Sequence, residues 1–290
     1  MSSLKSIHWV ILAFLLILML AIPSPSSAQA VVGISVRIGP PALPVYAQPV
    51  MPGPGYLWTP GYWAYGPDGY YWVPGTWVEP PAVGLLWTPG YWGWAGGVYV
   101  WHGGYWGPHV GFYGGINYGF GYTGVGFAGG YWRGGAFFYN RAVANVNVAV
   151  IHNSYHTEVV EHGEVSHTSF NGGTGGVAAQ PTAAERAAEH EQHVSPTALQ
   201  TQHERAASTN REMLASANHG RPSVAATSRP GEFHGSGVVS ARAKNEHEAG
   251  ARATDEKSAE KPAKQQKGKQ SHEGKSKPEE AEKSKSKPKD

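Results

Sequence analysis

The amino-acid sequence predicts a mainly β fold, a short-strand antiparallel meander built from W-x-P-G-x-W repeats. A Gly/aromatic low-complexity region, two weak helices and a disordered tail are predicted to follow it. Three observations lead to this fold class: a tryptophan phrase that recurs at a fixed period, turn-forming residues inside and between the phrases, and the loss of aromatic residues toward the C-terminus. An internal period of this kind indicates a repeat architecture before it indicates any chemistry.

The tryptophan phrase occurs four times, as WTPGYW, WVPGTW, WTPGYW and WHGGYW. Its eight tryptophans are our candidate interaction residues, namely Trp58, Trp63, Trp72, Trp77, Trp87, Trp92, Trp101 and Trp106. The first tryptophans of successive phrases lie 14, 15 and 14 residues apart, so two phrases make one unit of 29 residues. Turn signals also lie between phrases, at Gly66–Gly69 and at Gly96-Gly97, and they predict about eight very short strands.

The Pro-Gly pair inside a phrase is typical of a turn, because proline fixes φ at about −65° and glycine accepts φ > 0. With Thr59–Tyr62 as the turn, Trp58 and Trp63 are predicted to face each other across a tight hairpin as a cross-strand pair. Pro-Gly also favours type II turns, which splay hairpin strands, so corners between short strands are the alternative. The fourth phrase has no proline and could adopt a primed turn.

The repeat module holds more aromatic surface than a thin sheet can bury. Residues 56–106 contain nine tryptophans and eight tyrosines. We therefore expect the module to depend on the segment that follows it, on another copy of itself or on a ligand surface. Indoles that stay exposed could stack on sugar rings, whereas indoles that bury one another would form the core.

Residues 1–30 have the features of a secretory signal peptide. Lys5 precedes an apolar run over Ile7–Ile22, and Ala28-Gln29-Ala30 offers small residues for cleavage after Ala28 or Ala30. An uncleaved anchor is the alternative, but sixteen residues are short for a span of about 20. The sequence thus predicts an exported protein, located in the periplasm, the cell envelope or the exterior if the source is bacterial, with no membrane span after signal removal.

The rest of the chain divides by composition. A Pro-rich lead-in is predicted over 31–55, with one strand at Val31–Ile38, and the repeat module over 56–106 splits into 56–84 and 85–106. A Gly/aromatic block packed on the tryptophan module is predicted over 107–170, with a strand at Val143–Val150. Some glycine spacings in this block also resemble a small-xxx-small membrane helix face.

A polar linker with two weak helices is predicted over 171–239, and a disordered Lys/Glu-rich tail over 240–290. The first helix opens on a Thr182–Glu185 capping box. The second is predicted to begin at Pro196 after Ser195 and to run to about Asn218. Both helices lack a wide apolar stripe, so we expect them to be marginal or solvent-exposed.

Composition excludes several classes of site. The chain has no cysteine, so it has no disulfide scaffold, thiolate metal site, cysteine nucleophile or lipid-modified N-terminal cysteine. A formal net charge of +2 implies no strong preference for polyanions, and we predict no specific nucleic-acid partner. No nucleophile elbow or paired-carboxylate signature is present, so we predict neither an enzyme nor a cofactor.

Histidines provide the candidate metal ligands. His152, His156 and His162 share parity along an extended chain and could bind Zn²⁺, Ni²⁺ or Cu²⁺. The alternative, which we favour, is that they are solvated residues of a polar segment, because their spacing matches no known metal motif.

The phrases, with aromatic residues before and inside them such as Tyr71-Trp72 and Tyr91-Trp92, resemble those of the bacterial YXWGXW or WXXGXW repeat proteins. The order of signal peptide, repeats and Gly/Tyr block is similar too. This resemblance implies an exported envelope protein of unknown function, with no catalytic residues to carry over. Three hypotheses follow: a structural or interaction module that self-associates or docks on an envelope component, a glycan or peptidoglycan binder using exposed tryptophans, and a histidine metal binder.

Overall fold

A computed structural model describes residues 34–159 and 167–242, all within one compact unit that spans 1–244. The predicted signal peptide, His162 and the tail from residue 243 onward lie outside these described residues. The predicted mainly β fold is confirmed, because the described residues form many short strands in small, largely antiparallel sheets.

The strands are short because turn residues interrupt the chain every few positions. In chain order they are β1 Ser35–Val36, β2 Leu57–Thr59, β3 Tyr62–Gly66, β4 Gly69–Val73, β5 Gly75–Val78, β6 Leu86–Thr88, β7 Tyr91–Ala95, β8 Val98–His102, β9 Tyr105–Gly107, β10 Asn117–Gly119, β11 Tyr122–Thr123, β12 Gly130–Arg133, β13 Ala136–Asn140, β14 Ser154–Tyr155, β15 Phe170–Asn171, β16 Ala226–Thr227 and β17 Val238–Val239. The α-helices are α1 Ala183–Ala188, α2 Ala198–Thr209 and α3 Ala215–Asn218, with a 3₁₀ turn over Arg211–Met213.

Each repeat is one long hairpin that bends twice. In the first repeat, β3 pairs with β4 around the Gly66–Gly69 tip, and β2 pairs with β5 further down the same hairpin. The second repeat copies this arrangement, with β7 against β8 and β6 against β9. The Pro-Gly pairs lie at the bends between the outer and inner strand pairs. They are therefore corners between short strands, which was the alternative interpretation of these turns.

The predicted pairing of Trp58 with Trp63 is wrong. Trp58 lies opposite Trp77, and Trp63 lies opposite Trp72, so each tryptophan pairs with one from the partner phrase. The hairpin reverses at Gly66–Gly69 rather than at Pro60-Gly61, because Gly69 adopts the positive φ (99°) that the reversal needs. The two tryptophans of one phrase therefore belong to different strand pairs.

The phrase glycine is required for close packing and not for a positive φ. Gly61 and Gly75 are absent from the residues with positive φ. A Cβ added to Gly61 would lie 2.3 Å from the Trp72 ring and 2.8 Å from the Gly75 nitrogen. A Cβ on Gly75 would in turn lie 2.6 Å from the Trp58 ring. Because each glycine lacks a side chain, the first tryptophan of the opposite phrase can pack directly against the backbone of the corner.

The C-terminal half completes the repeat sheets. Strand β16 pairs in parallel with β5 and carries β17 on its other edge, and β15 pairs in parallel with β7. On the opposite edge of the β7–β8 pair lies β1. The segment 171–239, which we interpreted as a polar linker, is therefore packed against the repeats and supplies one of the three supports that we considered for the module.

Two predicted strands differ from the structure. Val143–Val150 forms turns instead of a strand, because the Asn140 and Asn147 side chains accept hydrogen bonds from backbone N–H groups two residues on. Of the strand predicted over Val31–Ile38, only Ser35–Val36 is extended and paired, and residues 31–33 lie outside the described part of the chain.

The helices keep their predicted location but not all their predicted bounds. The Thr182–Glu185 capping box is present at α1. The second helix begins after Thr197, whose hydroxyl accepts from the Gln200 N–H in a second capping box, and it ends at Thr209. Asn210 interrupts the continuation, because it is extended and its side chain caps the 3₁₀ turn. Helix α2 also packs on β4 and buries His203 and Ala207, so it is not simply solvent-exposed.

No helix in the described ranges has the length and apolarity that crossing a membrane requires.

Candidate functional site

The eight phrase tryptophans form four cross-strand pairs. Their ring centroids are 5.2 Å apart in the Trp58–Trp77, Trp63–Trp72 and Trp87–Trp106 pairs and 5.3 Å apart in the Trp92–Trp101 pair. Seven of the eight side chains are at most 7% exposed. Trp101 is the exception and is half-buried. The predicted interaction residues are thus mostly core residues, and their indole faces are not available for stacking on sugars.

Several indole N–H groups of the repeats donate hydrogen bonds to residues outside the repeats. Trp72 donates to the Ala225 carbonyl over 2.9 Å, and Trp77 donates to the Pro49 carbonyl over 2.9 Å. Trp106 donates to the Gln200 side chain in α2. These bonds satisfy buried donors with acceptors from before and after the module. The lead-in and the C-terminal segment are therefore parts of the same core.

The two repeats contact each other directly and also through Tyr122, which lies outside them. Trp92 donates to the Trp63 carbonyl over 2.7 Å, and Trp101 stacks on Tyr62 with ring centroids 5.1 Å apart. The Tyr122 hydroxyl lies 2.9 Å from the Trp87 carbonyl and 3.4 Å from the Trp58 carbonyl, which occupy the same place in the two repeats. Burial raises the pKa of Tyr122 well above its usual range, so it stays a neutral donor. The Gly/aromatic block is thus packed on the tryptophan module, as predicted.

A cavity of about 210 Å³, here called the corner cavity, lies where the four corners meet. Pro60, Pro74 and Pro89 line it from three phrases. Gly103 takes the place of the proline in the fourth phrase and lines it as well. Helix α2 contributes further lining residues, among them Gln200, His203 and Glu204. The repeat architecture itself therefore creates this space.

Two titratable side chains of α2 reach the corner cavity. Burial raises the pKa of the Glu204 carboxyl, while hydrogen bonds from Tyr62 and Tyr71 act in the opposite direction. Burial lowers the pKa of His203 to about 4, so its imidazole is neutral at neutral pH. Its Nδ1 accepts from the Gly231 N–H over 2.9 Å, which leaves Nε2 as the donor to the Pro74 carbonyl over 2.9 Å.

A second concave site, here called the Trp132 cleft, is open and has a volume of about 520 Å³. Trp132, Phe137 and Tyr139 form its aromatic wall. The indole of Trp132 is held by a 3.0 Å bond to the Leu85 carbonyl and by edge-on contact with Phe137. Its polar lining comes from the exposed side chains of Glu79, His152 and Asn153. The cleft therefore combines an aromatic surface with hydrogen-bonding groups.

The candidate metal ligands do not form a site in the part of the chain that the structure describes. His152 and His156 are exposed on either side of β14, and no group of three or more potential ligands is assembled within the described ranges. His162 lies outside the described residues.

Sequence reasoning missed His203, Glu204 and Trp132. A lone histidine or glutamate in a polar helix carries no signal of burial, because the helix lacks a clear apolar stripe. Trp132 stands outside the repeat period, which made it look like one more residue of the Gly/aromatic block. An unrepeated tryptophan in such a block is nevertheless a signal that could have been followed.

Comparison with protein families identifies the repeat. A model described as WXXGXW repeat (2 copies) matches residues 53–78 and 83–106. These two ranges are the two bent hairpins of the structure, each with two phrases. No match is found among curated proteins or among solved structures. The chain thus contains two copies of the WXXGXW repeat, at residues 53–78 and 83–106.

Proposed function

We propose that this protein is an exported cell-envelope protein that serves as a structural or interaction module and not as an enzyme. The observation that carries the proposal is the use of the repeated tryptophans, which form four buried pairs that join the lead-in, the repeats and the C-terminal segment. A scaffold role is supported because the repeated residues are mostly buried against one another and are used for packing. The signal-peptide features of residues 1–30 support export.

The scaffold leaves aromatic side chains at its surface that a partner could contact. Trp94, near the tip of the β7–β8 hairpin, is 41% exposed, and Tyr131 on β12 is 42% exposed. Aromatic side chains of this kind are enriched in protein interfaces. A docking role on an envelope component, or on a second copy of the chain, would use such positions and not the buried pairs.

Export is tested by fractionating bacteria that express the full chain and by sequencing the N-terminus of the purified protein. We expect the mature protein outside the cytoplasm, beginning at Gln29 or Val31, because small residues precede both cleavage points. Deletion of residues 1–30 should keep the protein in the cytoplasm. An intact N-terminus in the cytoplasmic fraction would contradict the proposal.

A second candidate function, glycan or peptidoglycan binding, is favoured by the Trp132 cleft. Flat indoles stack on sugar rings, and carboxylate, imidazole and amide groups beside them can bond sugar hydroxyls. The cleft offers this combination with Trp132, Glu79, His152 and Asn153. The glycan would then contact Trp132, which lies outside the repeats, and not the phrase tryptophans, which are mostly buried.

Glycan binding is tested by cosedimentation with insoluble peptidoglycan. We expect Trp132→Ala to weaken binding about tenfold or more, since it removes the stacking surface. Val125→Ala is the control, because Val125 is 59% exposed but lies outside the cleft. Far-UV circular dichroism of both variants checks the fold. Equal binding by the two variants would remove this candidate function.

A further inference from the structure

The corner cavity has an uneven chemical character. Its wall is formed mostly by proline rings, by the aromatic side chains of Tyr62, Trp87, Trp101 and Tyr118, and by glycine backbone. Among the described residues that line it, Glu204 is the one acidic residue and none is a lysine or an arginine. A negative group inside aromatic surroundings favours a positively charged occupant, because aromatic faces attract cations as well.

The other polar groups of the cavity already have partners. Both ring nitrogens of His203 are bonded, and Gln200 Oε1 accepts from Trp106 and from the Thr197 N–H. The Tyr118 hydroxyl donates to the Gly90 carbonyl over 2.7 Å. Among the described lining residues, the cavity therefore offers a ligand one negatively charged group, the carboxylate of Glu204.

Glu204 has no cationic partner at ion-pair distance among the described residues. Its partners are the phenols of Tyr62 and Tyr71, and the nearest positive influence comes from the exposed Arg205 beside it in the helix. The two phenols stabilise this partly desolvated carboxylate, and a cation beside it would stabilise its charged form further.

The cavity has the size of a small organic molecule. Its volume of about 210 Å³ exceeds that of an engineered apolar cavity of about 150 Å³ that binds benzene. Gly103 replaces the proline ring at one corner, and a Cβ built there would meet nothing closer than the Trp101 indole nitrogen at 4.0 Å. The wall is therefore least crowded at this corner.

We propose that the corner cavity is a binding site for a small organic ammonium ion, with the carboxylate of Glu204 as its counter-ion and with Trp101 and Tyr62 as aromatic contacts. Trp101 fits this role as the half-buried member of the phrase tryptophans. Helix α2 is then both a brace for the repeats and the wall that carries the charge. The proposal depends neither on export nor on the Trp132 cleft.

The test is calorimetric titration of the purified full-length protein with choline, at constant ionic strength adjusted with sodium chloride. The neutral analogue 3,3-dimethyl-1-butanol has the same shape without the charge and is titrated in parallel. We expect saturable binding of one choline per chain and at least tenfold weaker binding of the neutral analogue. Equal binding of the two compounds, or no saturable choline binding in the millimolar range, would overturn the proposal.

A variant pair tests the carboxylate. Glu204→Gln should weaken choline binding at least tenfold, since it removes the charge and keeps the size of the side chain. Glu189→Gln is the matched control, because Glu189 is exposed at the end of α1 and does not line the cavity, and its affinity should not change. Unchanged affinity in Glu204→Gln would overturn the proposal. If that variant fails to fold, the comparison of choline with its neutral analogue on the unaltered protein still decides.

Discussion

Gly104→Ala is expected to lower the free energy of unfolding by about 3 kcal/mol or more, as overpacking at a rigid position does. A Cβ at Gly104 would lie 2.5 Å from the Trp87 ring, 2.8 Å from the Thr88 carbonyl oxygen and 2.9 Å from the Gly90 nitrogen. Two of these three atoms belong to the backbone, so a change of side-chain rotamer cannot relieve the contact. Urea unfolding followed by far-UV circular dichroism measures the effect.

The adjacent glycine provides the control for this variant. Gly103→Ala places a Cβ 4.0 Å from the nearest atom, and Gly103 is absent from the residues with positive φ. We therefore expect the free energy of unfolding of this variant to lie within about 0.5 kcal/mol of that of the unaltered protein, as is usual for substitutions without a steric conflict. If Gly103→Ala and Gly104→Ala destabilise equally, close approach at the corner is not why the phrase needs glycine.

Trp72→Ala is expected to destabilise the protein by about 4 kcal/mol, within the range for deletion of a buried large aromatic side chain. The Trp72 side chain is 0% exposed, contacts Trp63 and lies on Gly61. The Ala225 carbonyl loses the indole donor but keeps its bond from the Gly75 N–H, so the loss comes mainly from the cavity that remains. Circular dichroism is again the appropriate probe, because fluorescence changes when a tryptophan is removed.

Trp94→Ala is the matched variant for Trp72→Ala. Trp94 is 41% exposed and belongs to no phrase pair, although it touches the Tyr99 ring. We expect Trp94→Ala to lower the free energy of unfolding by less than about 1.5 kcal/mol, because folding removes less apolar surface from water at Trp94 than at Trp72. If the two variants lose similar amounts of unfolding free energy, the paired indoles are not the main source of stability.

The sequence predicted the repeat unit and offered corners as an alternative to tight hairpins, because period and turn chemistry are local signals. The aromatic surplus of the module left three possible supports open, of which later residues of the chain were one. It did not predict which tryptophans face each other. That choice depends on where the hairpin reverses, and Pro60-Gly61 and Gly66–Gly69 are both turn signals. The structure selects the second, since its glycine takes the left-handed conformation.

The candidate sites were less predictable for a different reason. Glu204 and His203 gain their properties from residues far away in sequence, such as Tyr62 and Pro74, which no local pattern connects to a polar helix. The strand predicted over Val143–Val150 failed through the opposite effect. There the side chains of two asparagines accept hydrogen bonds from nearby backbone N–H groups and favour turns, although the alternation of apolar and polar residues is typical of a strand.

The parallel pairing of β16 with β5 and of β15 with β7 sets an order of events during synthesis. Exposed strand edges invite pairing with other chains. Strand β5 ends at Val78, whereas its neighbour β16 ends at Thr227, so the ribosome must add about 150 further residues before that edge is covered. At roughly 5–20 residues per second this interval lasts on the order of ten seconds. One strand edge of the first repeat can therefore be covered only after most of the described residues have been made.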